Sequence, residues 1–159
     1  MLAKKINLKE CLKVVKNLKR LKKKVVMTNG CFDIVHSGHV DYLHKTKKLG
    51  DILIVAINSD ASIKNLKGKH RPINDLSDRI KVLTSISFID YIIPFSSNTP
   101  EKLYKLIKPG IITKGGDYKK SNIAGSKHVI ENGGKLKLIP LIKNKSTSKI
   151  INKIRKLKI

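Results

Sequence analysis

The chain has 159 residues, is 40% hydrophobic and carries a formal charge of +24, with 35 Lys and Arg against 11 Asp and Glu. That length supports one ordinary core and is short for two packed domains, and its apolar runs, such as Ile52 to Ile57, fall far below the roughly 20 residues needed to span a bilayer. Cys11 and Cys31 are the only cysteines, too few for a disulfide framework, so reduced thiols are expected.

The N-terminal stretch is broken by lysines every few positions and has no uninterrupted apolar segment of a secretory signal, so a cytoplasmic location is expected. From Leu8 to Leu21 the residues Leu8, Leu12, Val15, Leu18 and Leu21 recur at helical spacing, which predicts an amphipathic helix with a lysine-rich outer face. The expected organisation is this helix, within residues 1–23, packed on one domain over residues 24–159. Lys24 to Asn29 reads as a buried strand ending at Gly30, with a helix from about Gly38 to Leu49. Asp51 to Asn58 is continuously apolar and β-branched between its ends, as in a strand covered on both faces of a parallel sheet. Ser59 to Asn74 reads as a polar connection, and Asp75 to Ser87 as a helix with Leu76, Ile80, Leu83 and Ser87 on one face. Strands are expected at Tyr91 to Ile93, Ile111 to Lys114 and Lys135 to Ile139. Helices are expected at Pro100 to Ile107, with Thr99 as its cap and Pro100 in its first turn, at Ser121 to Glu131, and at Ser146 to Leu157 behind a Ser/Thr cap. Alternating strands and helices predict a Rossmann-like, doubly wound α/β domain with its ligand site beyond the carboxyl ends of the strands.

The loop most suited to chemistry joins the first long strand to its helix: Thr28-Asn29-Gly30-Cys31-Phe32-Asp33-Ile34-Val35-His36-Ser37-Gly38-His39. It contains neither G-x-x-x-x-G-K-[ST] nor G-x-G-x-x-G. It does place His36 and His39 around Gly38 at a helix N-terminus. Free N–H groups and the positive helix end attract anions, Gly38 permits close approach of a phosphate, and two imidazoles can donate to phosphate oxygens. Together they would stabilise charge developing during phosphoryl transfer. Zinc binding by Cys31, His36 and His39 is the competing reading, but the set lacks a fourth ligand, so no metal ligands are assigned to side chains.

GCFDIVHSGH resembles the G-x-F-D-x-x-H-x-G-H signature of the cytidylyltransferase-like nucleotidyltransferases. Asn58 to Asn74, KGGDY at Lys114 to Tyr118 and IAGSKHVIENGG at Ile123 to Gly134 further resemble adenylyltransferases acting on D-glycero-β-D-manno-heptose 1-phosphate. The resemblance runs from about Val25 to the C-terminus. It implies that ATP and heptose 1-phosphate give ADP-heptose and pyrophosphate, with Mg²⁺ on the triphosphate, as a step of lipopolysaccharide inner-core synthesis. No sugar-kinase-like segment precedes the domain, which implies the stand-alone adenylyltransferase form, and relatives of this kind imply a homodimer.

By the same resemblance His36 and His39 are the catalytic histidines, while Gly30, Cys31, Phe32 and Gly38 contact the triphosphate. Lys67, Asp117, Ser146, Thr147 and Ser148 join the nucleotide and phosphate contacts, with Asp117 placed after a predicted strand where a carboxylate could bind a ribose or sugar hydroxyl. Arg71 and Arg79 are expected at the sugar phosphate. The Ser-Thr-Thr element of the family departs here to Ser146-Thr147-Ser148, and Asn144-Lys145 replaces its usual arginine- or glycine-containing lead-in.

Two other functions compete. A cytidylyltransferase for glycerol 3-phosphate or a similar alcohol phosphate shares the histidine loop, but KGGDY and IAGSK favour the heptose enzyme, and retention of both histidines and Arg79 argues against an inactive relative. A basic nucleic-acid-binding module would use the charge, but the positive residues are mostly Lys, spread along the chain, and four Tyr with three Phe and no Trp offer few stacking platforms. No nucleic-acid or membrane partner is expected.

Overall fold

The computed structural model describes residues 2–116 and 123–157. Six parallel strands form one sheet: β1 (Lys4–Lys5), β2 (Val25–Gly30), β3 (Ile52–Asn58), β4 (Tyr91–Phe95), β5 (Ile111–Gly115) and β6 (Lys135–Ile139). Their order is β1-β4-β3-β2-β5-β6. The chain steps outward from β2 to β3 and β4, then returns across β2 to lay β5 on its other side. That reversal opens a crevice at the carboxyl ends of β2 and β5, the ligand position of a doubly wound sheet. The helices are α1 (Leu8–Arg20), α2 (Ser37–Lys47), α3 (Asp60–Lys67), α4 (Leu76–Thr84), α5 (Glu101–Ile107), α6 (Ser126–Glu131) and α7 (Thr147–Lys156). The architecture is the Rossmann-like α/β fold expected. None of the described helices is long and apolar enough to cross a membrane.

The apolar run of β3 divides by strand alternation. Leu53, Val55 and Ile57 pack on one side with Leu43, Leu83 and Ile92, while Ile54 and Ala56 pack on the other with Cys11, Met27 and Ile93. All these side chains are buried, so a strand between two helical layers needs no polar alternation. Pro94 sits within β4 opposite Ile57, although β4 has a neighbour on each side. β1 pairs only with Tyr91 and Ile92, so the missing N–H of Pro94 falls beyond its reach.

Several local readings shift. In α1 the buried face is Cys11 and Val15 flanked by Leu8 and Leu18, whereas Leu12 and Leu21 are exposed. Cys11 acts as a small apolar residue, and burial pushes its thiol up to about 11. Asn7 and Glu10 close a capping box at the start of this helix. The same N-terminal segment also supplies β1, too short to announce itself by periodicity. α3 lies inside the stretch expected as a polar connection, because its buried contacts come only from Ser62 and Ile63. Pro100 itself is the cap residue of α5, with no side-chain hydrogen bond, so Thr99 does not cap it. α6 begins at Ser126, later than expected.

Candidate active site

A cleft of about 590 Å³ opens at the switch point, a volume in the range of small-molecule sites. Its walls come from the carboxyl ends of β2, β3 and β5 and from the first turns of α2 and α7. His36, His39, Gly30, Cys31, Phe32, Gly38, Lys67, Arg71, Ser146, Thr147 and Ser148 all line it, so residues scattered over more than 100 positions converge there. Asp117 lies outside the described residues.

The loop from Gly30 to His39 is built tightly. Phe32 takes a left-handed backbone (φ 47°), a conformation that costs a non-glycine residue about 1–2 kcal/mol. Its ring is buried against Gly30, where an added Cβ would come within 3.0 Å of it, and tilts against His39 at a centroid separation of 5.4 Å. The His36 and His39 rings stack with centroids 3.9 Å apart. Gly38 is required by this packing: a Cβ there would meet the His36 ring and the Lys145 stem, each at 3.0 Å.

Neither histidine is tied down. The Nδ1 atoms of both are buried and lack a hydrogen-bond partner among the described residues. Burial pushes His39 down to about 4, helped by His36, and burial with the Lys145 ammonium holds His36 below the ordinary imidazole range. Both rings are therefore neutral near pH 7, each with one N–H to donate, and an arriving polyanion would raise their basicity. His36 is also the cap residue of α2 but makes no side-chain cap, unlike the cap residues of α1, α3, α4 and α7. The first two N–H groups of α2, those of Ser37 and Gly38, thus have no partner among the described residues, whereas that of His39 donates to the His36 carbonyl.

α7 delivers the second helix start. Ser146 caps it by accepting from the Lys149 N–H at 3.2 Å, and the Thr147 hydroxyl donates to the Ile34 carbonyl at 3.3 Å. Thr147 thereby fastens α7 to the histidine loop, so its hydroxyl proton is already committed.

Beneath the loop lies a frame of saturated charges. The buried Asp33 carboxylate accepts from Arg71 Nε at 2.6 Å and from the Ile73 and Asn74 N–H groups at 2.8 and 2.9 Å. Arg71 keeps its Nη groups unpaired among the described residues, at the rim of the cleft. Arg79 departs from the expectation of a phosphate contact. Its side chain is fully buried and donates to the carbonyls of Asn74, Cys31 and Asn58 and to Asp60, the last at 2.6 Å. It lies outside the cleft lining and brackets the loop from below. The Cys31 thiol is pushed up by burial, with nearby Lys67, Arg79 and Arg71 opposing that shift.

Other residues of the site were given no role by the sequence. Tyr42 and Thr28 share a buried 2.7 Å hydrogen bond, extended by Thr113 and Thr46, and this hydroxyl cluster pins α2 to β2 and β5 under the histidines. The Tyr104 hydroxyl donates to Asn29 Oδ1 at 3.0 Å at the cleft floor, and Lys114 lines the cleft from β5. Lys145 enters it from the α7 lead-in. Tyr and Thr in a strand or helix read as ordinary core, and a lysine among so many reads as surface; only the crossing of elements brings them to the site.

The cytidylyltransferase-like family matches residues 27–153. The chain is 52% identical over 144 residues to the bifunctional protein HldE of Actinobacillus succinogenes, covering 91% of this chain and 30% of that protein. It is 50% identical over 149 residues to the bifunctional protein HldE of Pasteurella multocida, covering 94% and 31%. It thus spans about a third of the length of these curated relatives. Among solved structures, a lipopolysaccharide core biosynthesis protein from Thermoplasma volcanium shares 31% identity at a TM-score of 0.63, over 77% of this chain and 99% of that one. A pantoate-beta-alanine ligase from Francisella tularensis, solved with an ATP analogue and beta-alanine, aligns over 98% of this chain and 78% of its own at a TM-score of 0.65; at 16% identity that likeness shows the fold. With a family match across most of its length and the stacked histidines beyond the carboxyl end of β2, the chain belongs to the cytidylyltransferase-like family of nucleotidyltransferases.

Proposed function

We propose that this domain transfers AMP from ATP to D-glycero-β-D-manno-heptose 1-phosphate, giving ADP-heptose and pyrophosphate for lipopolysaccharide inner-core synthesis. The observation that carries the reading is the pair of untethered, stacked imidazoles set over two helix starts in one cleft. Kinship to the bifunctional HldE proteins and the likeness to a lipopolysaccharide core biosynthesis protein support the sugar phosphate over an alcohol phosphate as acceptor.

The reaction in this reading is a single in-line displacement. An oxygen of the sugar phosphate attacks the α-phosphorus of ATP, that P–O bond forms as the bond to the β-phosphate oxygen breaks, and pyrophosphate leaves with the electron pair. No covalent enzyme intermediate is needed. His36 and His39 donate to oxygens that gain charge in the transition state, where such preorganised donors are most effective. The N–H groups at the starts of α2 and α7, with the Gly30 to Phe32 backbone, hold the triphosphate. Lys67, at the end of α3, and the open Nη groups of Arg71 face the anionic acceptor. Ser146 and Ser148 contribute from α7, and Asp117 a sugar hydroxyl contact.

Mg²⁺ fits as a companion of the nucleotide. Asp33 is the sole carboxylate among the described lining residues, and its oxygens are engaged by Arg71 and two N–H groups, so the triphosphate oxygens would carry the ion. Bound there it neutralises phosphate charge. The domain works in the cytoplasm, as a homodimer, without nucleic-acid or membrane partners.

The test is pyrophosphate release with Mg²⁺ from four pairings of ATP or CTP with heptose 1-phosphate or glycerol 3-phosphate. Turnover confined to ATP with heptose 1-phosphate is expected. Turnover with CTP and glycerol 3-phosphate would assign the alternative, and silence in all four would point to an inactive relative or a binding module.

A further inference from the structure

Lys145 lies where the family element departs from its usual form, and no role has so far been attached to it. Three features direct it into the cleft. Asn144 before it adopts the left-handed conformation (φ 65°), which Asn tolerates, and its side chain accepts from the Lys149 ammonium. The Lys145 N–H donates to the Ile142 carbonyl, closing a turn just ahead of the Ser146 cap. Its stem then lies over Gly38 and beside the His36 ring, with its charge felt by that imidazole.

Among the described residues the ammonium has no counterion. Lys23, Lys45, Lys47, Lys105 and Lys127 each lie within ion-pair distance of a carboxylate. Lys145 has no such partner among the described residues, and the described lining of the cleft it enters contains one carboxylate, Asp33, already paired with Arg71. A cation held beside two neutral imidazoles and two helix starts is placed for a polyanion, and the missing Cβ of Gly38 gives the Lys145 stem the room to lie there. Such local charge complementarity acts on the ligand directly, unlike the diffuse field of the whole surface.

We propose that Lys145 is a nucleotide-binding residue of this chain whose ammonium contacts the β- and γ-phosphates and stabilises the charge that pyrophosphate gains as its bond to the α-phosphorus breaks. Lys145 stays protonated throughout; the transferred group and the electron pair move as in the displacement above. This deepens the adenylyl-transfer reading and rests on it.

Titration calorimetry with MgATP and with AMP separates the two claims. Lys145→Met keeps the stem over Gly38 and removes the charge; loss of a charged hydrogen bond should weaken MgATP about 10- to 100-fold, with AMP unchanged. Lys145→Arg should restore MgATP binding to within about threefold, as an ionised donor to phosphate is retained. Lys143→Met, which removes an equal charge from an exposed neighbouring site outside the cleft, should bind like the parent. Equal MgATP affinity for Lys145→Met and Lys143→Met, or equal losses for ATP and AMP, would overturn the proposal while leaving the adenylyl-transfer reading standing. Failure of the unmodified protein to bind either nucleotide would sink both. Lys145→Gln repeats the comparison should the methionine variant melt differently.

Discussion

The loop from Gly30 to His39 has two sides of opposite character. Below it, Asp33, Asn74 and Arg79 are hydrogen-bonded to one another and to backbone groups. Above it, His36 and His39 keep buried ring nitrogens without partners among the described residues, and α2 starts without a side-chain cap. The difference separates scaffold from reagent. A buried group saturated by the protein stabilises the fold and has nothing left for a ligand, whereas an unsatisfied one costs stability and awaits a partner. The left-handed Phe32 belongs to this second account: its strain is held by the frame and keeps the histidine side presented.

The sharpest way to break the comparison is to remove a scaffold charge. Arg79→Met strands three carbonyls and leaves the partly exposed Asp60 without its ion pair, and each acceptor left buried and unpaired costs about 1–3 kcal/mol. A large fall in melting temperature is expected, and a variant that melts like the parent would refute the bracket. On the reagent side, His39→Ala should lower kcat roughly 100- to 1,000-fold, the loss seen when a transition-state donor is removed, with the melting temperature held or raised. Near-normal turnover would take His39 out of the mechanism.

A smaller effect sharpens the same contrast through pH. In the folded protein His39 is pushed down to about 4 from its ordinary 6.5, so between those values the unfolded chain binds the extra proton. The neutral-ring contribution is complete above pH 6.5 and is lost as the pH falls towards 4. Melting curves across that window should therefore show the parent losing stability relative to His39→Ala as the pH drops. A difference that stays constant with pH would mean that His39 titrates normally in the fold.

Much of this was legible in the chain itself. The apolar run of β3 announced a strand buried on both faces, the Ser146 cap marked the start of α7, and the histidines around Gly38 marked the site. These are short-range matters, set by strand alternation, by hydrogen bonds within a helical turn and by glycine at a close approach. The face of α1 was misread by one position because Leu12 looks more apolar than Cys11, yet the space against the sheet accepts the smaller side chain. α3 was missed because one buried isoleucine makes no period.

By itself, then, the sequence determined the alternating α/β order, the position of the histidine loop and the family to which both belong. Tertiary structure alone decided which basic residues face the cleft. Arg79 reaches back 48 residues to hold the Cys31 carbonyl, and Thr147 reaches back 113 to hold that of Ile34. Arg79 and Lys145 look alike in a chain of 35 basic residues. They differ because the connection from β3 to β4 places Arg79 beneath the loop, whereas the return across β2 to β5 and β6 carries Lys145 over it, and no local propensity encodes which side a distant charge will meet.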